Sequence, residues 1–76
     1  MSSAIAVPTS PLTPREVQVL QQVAHGHTDQ AIADLLGIGL RSVRQYLVSA
    51  RLKLLADNRR EAVRIGIRLG IIHPTR

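Results

Sequence analysis

Arg41, Arg44 and Gln45 stand close together in the chain, with Val48 just beyond them. Two guanidinium forks and a carboxamide can grip phosphates and hydrogen-bond purine edges in pairs, and a valine can meet a thymine methyl. That chemistry needs all four side chains on one face. A helix turning by about 100° per residue supplies it: with Val43 at zero, Leu47, Ala50 and Leu54 fall within about 40°, while Arg41, Arg44, Gln45 and Val48 lie roughly 100–200° away. A helix with an apolar stripe behind and an Arg/Gln stripe in front is built for insertion. The destination it fits is the major groove of duplex DNA.

Other chemistries find little support. No nucleophile stands with a base, no carboxylates are paired and no glycine-rich loop is placed to cradle phosphate, so neither an enzyme nor a cofactor is expected. His25, His27 and Asp29 share one loop, but they lack a fourth ligand and an outer shell, so no metal site is expected.

The bulk properties agree. At 76 residues the chain makes one small domain, and without cysteine it has no disulfide or thiolate metal site to supplement its core. No signal peptide or membrane span is legible, so a cytoplasmic protein is expected. The net charge of +5 is uneven: residues 1–40 carry −2 and residues 41–76 carry +7, a distribution that invites a polyanion. Tyr46 is the single aromatic residue, so there is no platform for stacking unpaired bases, and duplex is favoured over single strands.

The elements that position this face read as four helices. Residues 1–11 form an arm, in which Pro8 and Pro11 exclude helix. Thr13-Pro14-Arg15-Glu16 opens a first helix, about 14–25, with a capping threonine, proline at the first position, glutamate to complete the box and Leu12 as a staple. Val19, Leu20, Val23 and Ala24 give it an inner side, and Gly26 stops it. Thr28 caps a second helix, about 29–36, with Ala31, Ile32, Leu35 and Leu36 facing inward. Gly37 ends that helix, Ile38 plugs the turn, and a third runs about 40–55; two helices joined by so short a turn are a helix-turn-helix. A fourth, about 59–69, uses Ala62, Ile65 and Leu69 to close the core and leaves Val63 and Ile67 on a neighbouring stripe. Residues 73–76 are a tail.

Leu12-Thr-Pro-Arg-Glu16, Val19-Leu20, Gly26, Ile32-Ala33, Leu36, Ile38, Ser42-Val43-Arg44 and Leu54, followed by Asn58-Arg-Arg-Glu-Ala62 and Gly70-Ile-Ile72, resemble the LuxR-type (GerE-like) helix-turn-helix without gaps over residues 12–72. The resemblance implies an all-α, four-helix domain of a bacterial transcription regulator, its third helix in the major groove and its fourth at a homodimer contact. It places Arg44, Gln45 and Val48, with Arg41 beside them, at base edges. Ser42, Tyr46 and Arg51, with Thr28 at the second helix's cap, fall to the phosphates, and Val63 and Ile67 to the dimer. Several positions depart from the family pattern. Val48 replaces a polar or basic residue, Leu52 stands where a polar residue is usual and Leu55 where glycine is, so the three make an outward apolar strip. Ala31 removes the acid of a second capping box, and Gly39 replaces a capping Ser or Thr. With eleven residues ahead of the module, no receiver or ligand-binding domain is expected there.

The reading is therefore a double-stranded DNA-binding regulator. Two alternatives remain at this point. One is a module similar to region 4 of a sigma factor, leaning on RNA polymerase. The other is an interaction protein that pairs with a larger regulator through Leu52 and Leu55 without binding DNA alone.

Overall fold

Thr13 opens the first helix by a reciprocal exchange. Its hydroxyl accepts from the Glu16 N–H at 3.2 Å, and the Glu16 carboxylate accepts from the Thr13 N–H at 2.8 Å. This capping box, with Pro14 at the first position, launches α1 (Pro14–Ala24). Thr28 does half as much for α2 (Asp29–Leu36): its hydroxyl accepts from the Ala31 N–H at 3.1 Å, and the Ala31 methyl cannot return the bond. α3 (Leu40–Lys53) begins at Gly39 with no side-chain cap. α4 (Arg59–Arg68) is capped by Asn58, whose carboxamide oxygen accepts from the Glu61 N–H at 2.8 Å. The computed structural model describes residues 11–74, so the expected arm lies outside it except for Pro11, as do Thr75 and Arg76 of the tail. Every regular element among the described residues is helical, in the expected order.

α3 packs on each of the other three helices. Its inner stripe of Val43, Leu47 and Ala50 meets Val19 and Leu20 of α1, Ile32 and Ala33 of α2 and Ala62 of α4, while Leu12 and Ile72 close the two ends of the core. The turn between α2 and α3 is Gly37-Ile38-Gly39, with Ile38 half-buried against the core. Two leucines expected inside are outside: Leu35 is 60% exposed and Leu69 59%. Ile32, Ala33 and Leu36 already fill the narrow inner stripe of an eight-residue helix, so the neighbouring Leu35 turns outward. Leu69 caps α4, and the chain then reverses at Gly70 (φ 76°) and buries Ile72 instead.

α1 stops at Ala24 and α4 at Arg68, each within one residue of the expected end. The informative case is α3, which stops at Lys53 rather than residue 55. The Leu55 N–H donates to the Leu52 carbonyl at 3.1 Å and the Ala56 N–H to the Arg51 carbonyl at 2.9 Å, the paired bonds of a Schellman ending. That ending requires a left-handed residue, and Leu55 supplies it at φ 57°, the one non-glycine with positive φ among the described residues. A branched side chain there costs on the order of 1 kcal/mol. Since Leu55 is 89% exposed, little packing offsets that cost. Leu55→Gly is therefore expected to stabilise the domain by about 1 kcal/mol in denaturant unfolding; an unchanged or lowered midpoint would contradict the strain.

Candidate nucleic-acid interface

Burial of Val43, Leu47 and Ala50 fixes the rotation of α3 and turns its opposite side to solvent. Arg41, Arg44 and Gln45 are exposed there, with Val48 half exposed and Leu52 slightly more so. Together with Ser49 they line one shallow groove of about 550 Å³ along the helix. The four residues expected at base edges thus share one open face. Its charge comes from Arg41 and Arg44, and its floor is apolar through Val48 and Leu52.

The residues expected at phosphates are dispersed around this face. Thr28 is exposed at the start of α2, where its hydroxyl oxygen already accepts the capping bond. Ser42 is half-buried, and Tyr46 lies half-buried against the core. Arg51 spends one donor on the α3 ending, where its guanidinium Nη1 donates to the Ala56 carbonyl at 3.1 Å. Val63 and Ile67, expected at a dimer contact, are half-buried against the core, and Val63 borders a cleft of about 340 Å³ with Arg59, Arg60 and Arg64. Leu55 stands clear of the fold, and Leu52 continues the groove.

Two carboxylates hold the basic half in place. Glu16 is 5% exposed. Beyond its bond to Thr13 it accepts from the Ser49 hydroxyl at 2.5 Å and from the Lys53 ammonium at 2.9 Å. Burial by itself would raise its pKa, but the bonds from Ser49, Thr13 and Lys53 outweigh that and hold it down to about 2. The second carboxylate, Asp29 in the first turn of α2, accepts two hydrogen bonds from the Arg59 guanidinium at 2.7 and 3.1 Å. Arg44 approaches the same carboxylate through Nε at 3.6 Å, an ion pair too long for a hydrogen bond. The bonds from Arg59 lead in holding the Asp29 pKa below its ordinary value, and in turn raise that of Arg59. Asp29 and these arginines, with Arg51, Asn58, Leu47 and Val48, border a cleft of about 370 Å³ between α2, α3 and α4.

In the sequence Asp29 stands out only beside His25 and His27 in a metal-like trio; in the structure its carboxylate is committed to two arginines. Arg59, Ser49 and Lys53 were not singled out at all. Their partners lie thirty or more positions away, and periodicity along a single helix carries no signal of such pairs. The one available hint was charge, since the acids of the first half, Asp29 among them, face a strongly basic second half.

The comparisons come to rest on the same stretch. The model of bacterial regulatory proteins of the luxR family matches residues 10–66. The HTH-type quorum sensing-dependent transcriptional regulator VjbR of Brucella ovis is 48% identical over 61 residues, 80% of this chain and 24% of that protein. The transcriptional regulatory protein ComA of Bacillus subtilis is 44% identical over 61 residues, again 80% of this chain and 28% of its own length. The chain thus spans about a quarter of the length of these curated relatives. Among solved structures, the transcription factor GerE superposes with a TM-score of 0.81 at 28% identity, covering 84% of this chain and 96% of GerE.

Proposed function

The chain belongs to the luxR family of bacterial regulatory proteins, and from that premise we propose that it regulates transcription by binding double-stranded DNA with α3 in the major groove. The observation that carries this reading is the open face of Arg41, Arg44 and Gln45, held outward by the buried stripe on the opposite side of the same helix. Arg44 and Gln45 read base edges, Arg41 joins them at the rim, and Val48 meets a thymine methyl. Thr28, Ser42, Tyr46 and Arg51 belong to the phosphate contacts that set register. Two copies pair through Val63 and Ile67 on α4, so the site consists of two half-sites. No step calls for a cofactor or catalysis.

Selection of bound sequences from a pool of random duplexes, at low and moderate salt, tests this directly. The expected result is a motif of two half-sites, with affinity falling steeply as salt rises because the arginines release phosphate counterions. Arg44→Ala is expected to weaken binding by about 1–3 kcal/mol and to relax the preference at one position of each half-site. Unchanged affinity and preference in that variant would remove Arg44 from the base edges.

A second reading is favoured by the exposure of Leu52 and Leu55, at 58% and 89%: this strip holds another regulator or RNA polymerase. Capture of such a protein, with no duplex binding by the isolated chain at low salt, would select it over the first.

A further inference from the structure

We infer that Asp29 is a specificity-determining positioning residue: from the start of α2 it braces the Arg44 guanidinium from behind, so that a fixed rather than a swinging fork meets the DNA base. The inference rests on the assignment of Arg44 to a base edge in the preceding subsection. Arginine recognises guanine through two parallel N–H donors, and the strength of that choice depends on how narrowly the fork is oriented before contact. An arginine on an exposed helix face samples many rotamers. Free to swing, it can trade one base for another or retire to a phosphate.

Arg44 is placed to avoid this. Its contact with Asp29 Oδ2 is made by Nε, at 3.6 Å, while 63% of its side chain stays open to solvent. Nε lies on the inner side of the guanidinium, so pairing there spends neither terminal nitrogen, and both Nη groups remain for the base. The brace is itself held. The two bonds from Arg59 grip both Asp29 oxygens, and Oδ2 is shared between Arg59 Nη2 at 3.1 Å and Arg44 Nε. The Asp29 side chain is 17% exposed, whereas Arg44 is open by 63% and Arg59 by 48%, so the carboxylate is the fixed member of the trio. The arrangement joins α4 through Arg59, α2 through Asp29 and the reading helix through Arg44.

The role has a signature that simple stabilisation lacks. Asp29 places a negative charge beside a phosphate-binding face, so on charge alone it weakens DNA binding everywhere. Asp29→Asn is therefore expected to raise affinity for random duplex or leave it unchanged, while discrimination at the base read by Arg44 falls about three- to tenfold. That is part of the roughly 5- to 150-fold carried by a good bidentate pair. A merely structural residue would lower both affinities together. Arg44→Lys supplies a second variant on an open surface. It keeps the charge, but it offers the base no planar fork of donors and has no separate inner nitrogen for Asp29. It is expected to lose at least as much discrimination as Asp29→Asn, and adding Asp29→Asn to it should cost nothing further. Arg59→Met, which frees the carboxylate that Arg59 holds, should lose part of the discrimination on its own but nothing further on top of Arg44→Lys.

The experiment is competition binding of the full chain to its selected duplex, to single-base variants and to random duplex. Lost discrimination in Asp29→Asn with random affinity retained, and no further loss in the double variant, supports the brace. If Arg44→Ala erases discrimination while Asp29→Asn leaves it intact, the brace fails and the base-edge assignment stands. If Arg44→Ala leaves discrimination intact, that assignment fails and the brace falls with it. If Asp29→Asn does not fold, additive losses when Arg44→Lys is combined with Arg59→Met would overturn the brace, because the two arginines would then act independently. Arg44→Lys alone keeping full discrimination would overturn it too.

Discussion

Glu16→Gln is expected to lower the stability of the domain by about 3 kcal/mol at pH 7, on the order of 15 °C in Tm for a domain of this size. The Glu16 carboxyl is held down to about 2, against an ordinary value of 4.5, and each pH unit of that gap corresponds to about 1.4 kcal/mol. A depressed carboxyl stabilises the fold in its charged form. The contribution is thus complete above about 4.5 and drains away as pH falls from there towards about 2. The carboxamide keeps the shape and can accept from the Thr13 N–H, but it cannot neutralise Lys53, and it leaves a buried site with weaker acceptors. Denaturant unfolding of both forms from pH 7 to pH 3 is the measurement. The native chain should lose stability steeply below pH 4.5, and the Gln variant should show little of that loss. Equal stability at pH 7, or a native profile flat down to pH 3, would show that the network around Glu16 contributes little.

The second large effect is expected at Gly66. This glycine is buried in α4, where a Cβ would lie 3.1 and 3.2 Å from the Ile72 side chain and 3.4 Å from Leu20 Cδ2. Gly66→Leu drives four carbons into that space and should cost about 3 kcal/mol, at the upper end of overpacking. The displaced group is the one that seals the core, so the loss should appear in unfolding and as greater mobility of residues 71–74. Gly66→Ala is the controlled comparison. Its better helix propensity, worth about 1 kcal/mol, opposes a shift of a few tenths of an ångström in Ile72, so the net change should be small. A Leu variant as stable as the native chain would mean that the close approach of α4 to Ile72 is not constrained.

What was legible in the sequence was the local code. Thr13 and Thr28 announce helix starts because a cap lies within three residues of the group it satisfies. The spacing of Val43, Leu47 and Ala50 gave the rotation of α3, and with it the outward face of Arg41, Arg44 and Gln45. What stayed hidden depends on competition for limited space or on distant partners. Leu35 and Leu69 carry the inward pattern as well as their neighbours do, yet a short helix and a chain reversal hand their places to Leu36 and Ile72. Leu55 was legible as a departure where the family pattern has glycine, but its left-handed turn and the early end of α3 were not. The bonds of Glu16 with Ser49 and Lys53, and those of Asp29 with Arg59, join residues whose proximity only the packed fold creates.

The first helix also has a mechanical meaning. Leu12, just ahead of α1, is buried at one end of the core; near the other end of the same helix the Gln21 carboxamide exchanges two hydrogen bonds with the His73 backbone, each 2.9 Å, beside buried Ile72. Tension applied at Leu12 and Ile72 would therefore run along α1, from the Thr13 cap to Gln21, as through a tie rod. α2 and α3 hang beside that rod rather than in series with it. A tug on either end of the domain would load the first helix first, and would pass to the reading helix through the bonds of Glu16 with Ser49 and Lys53.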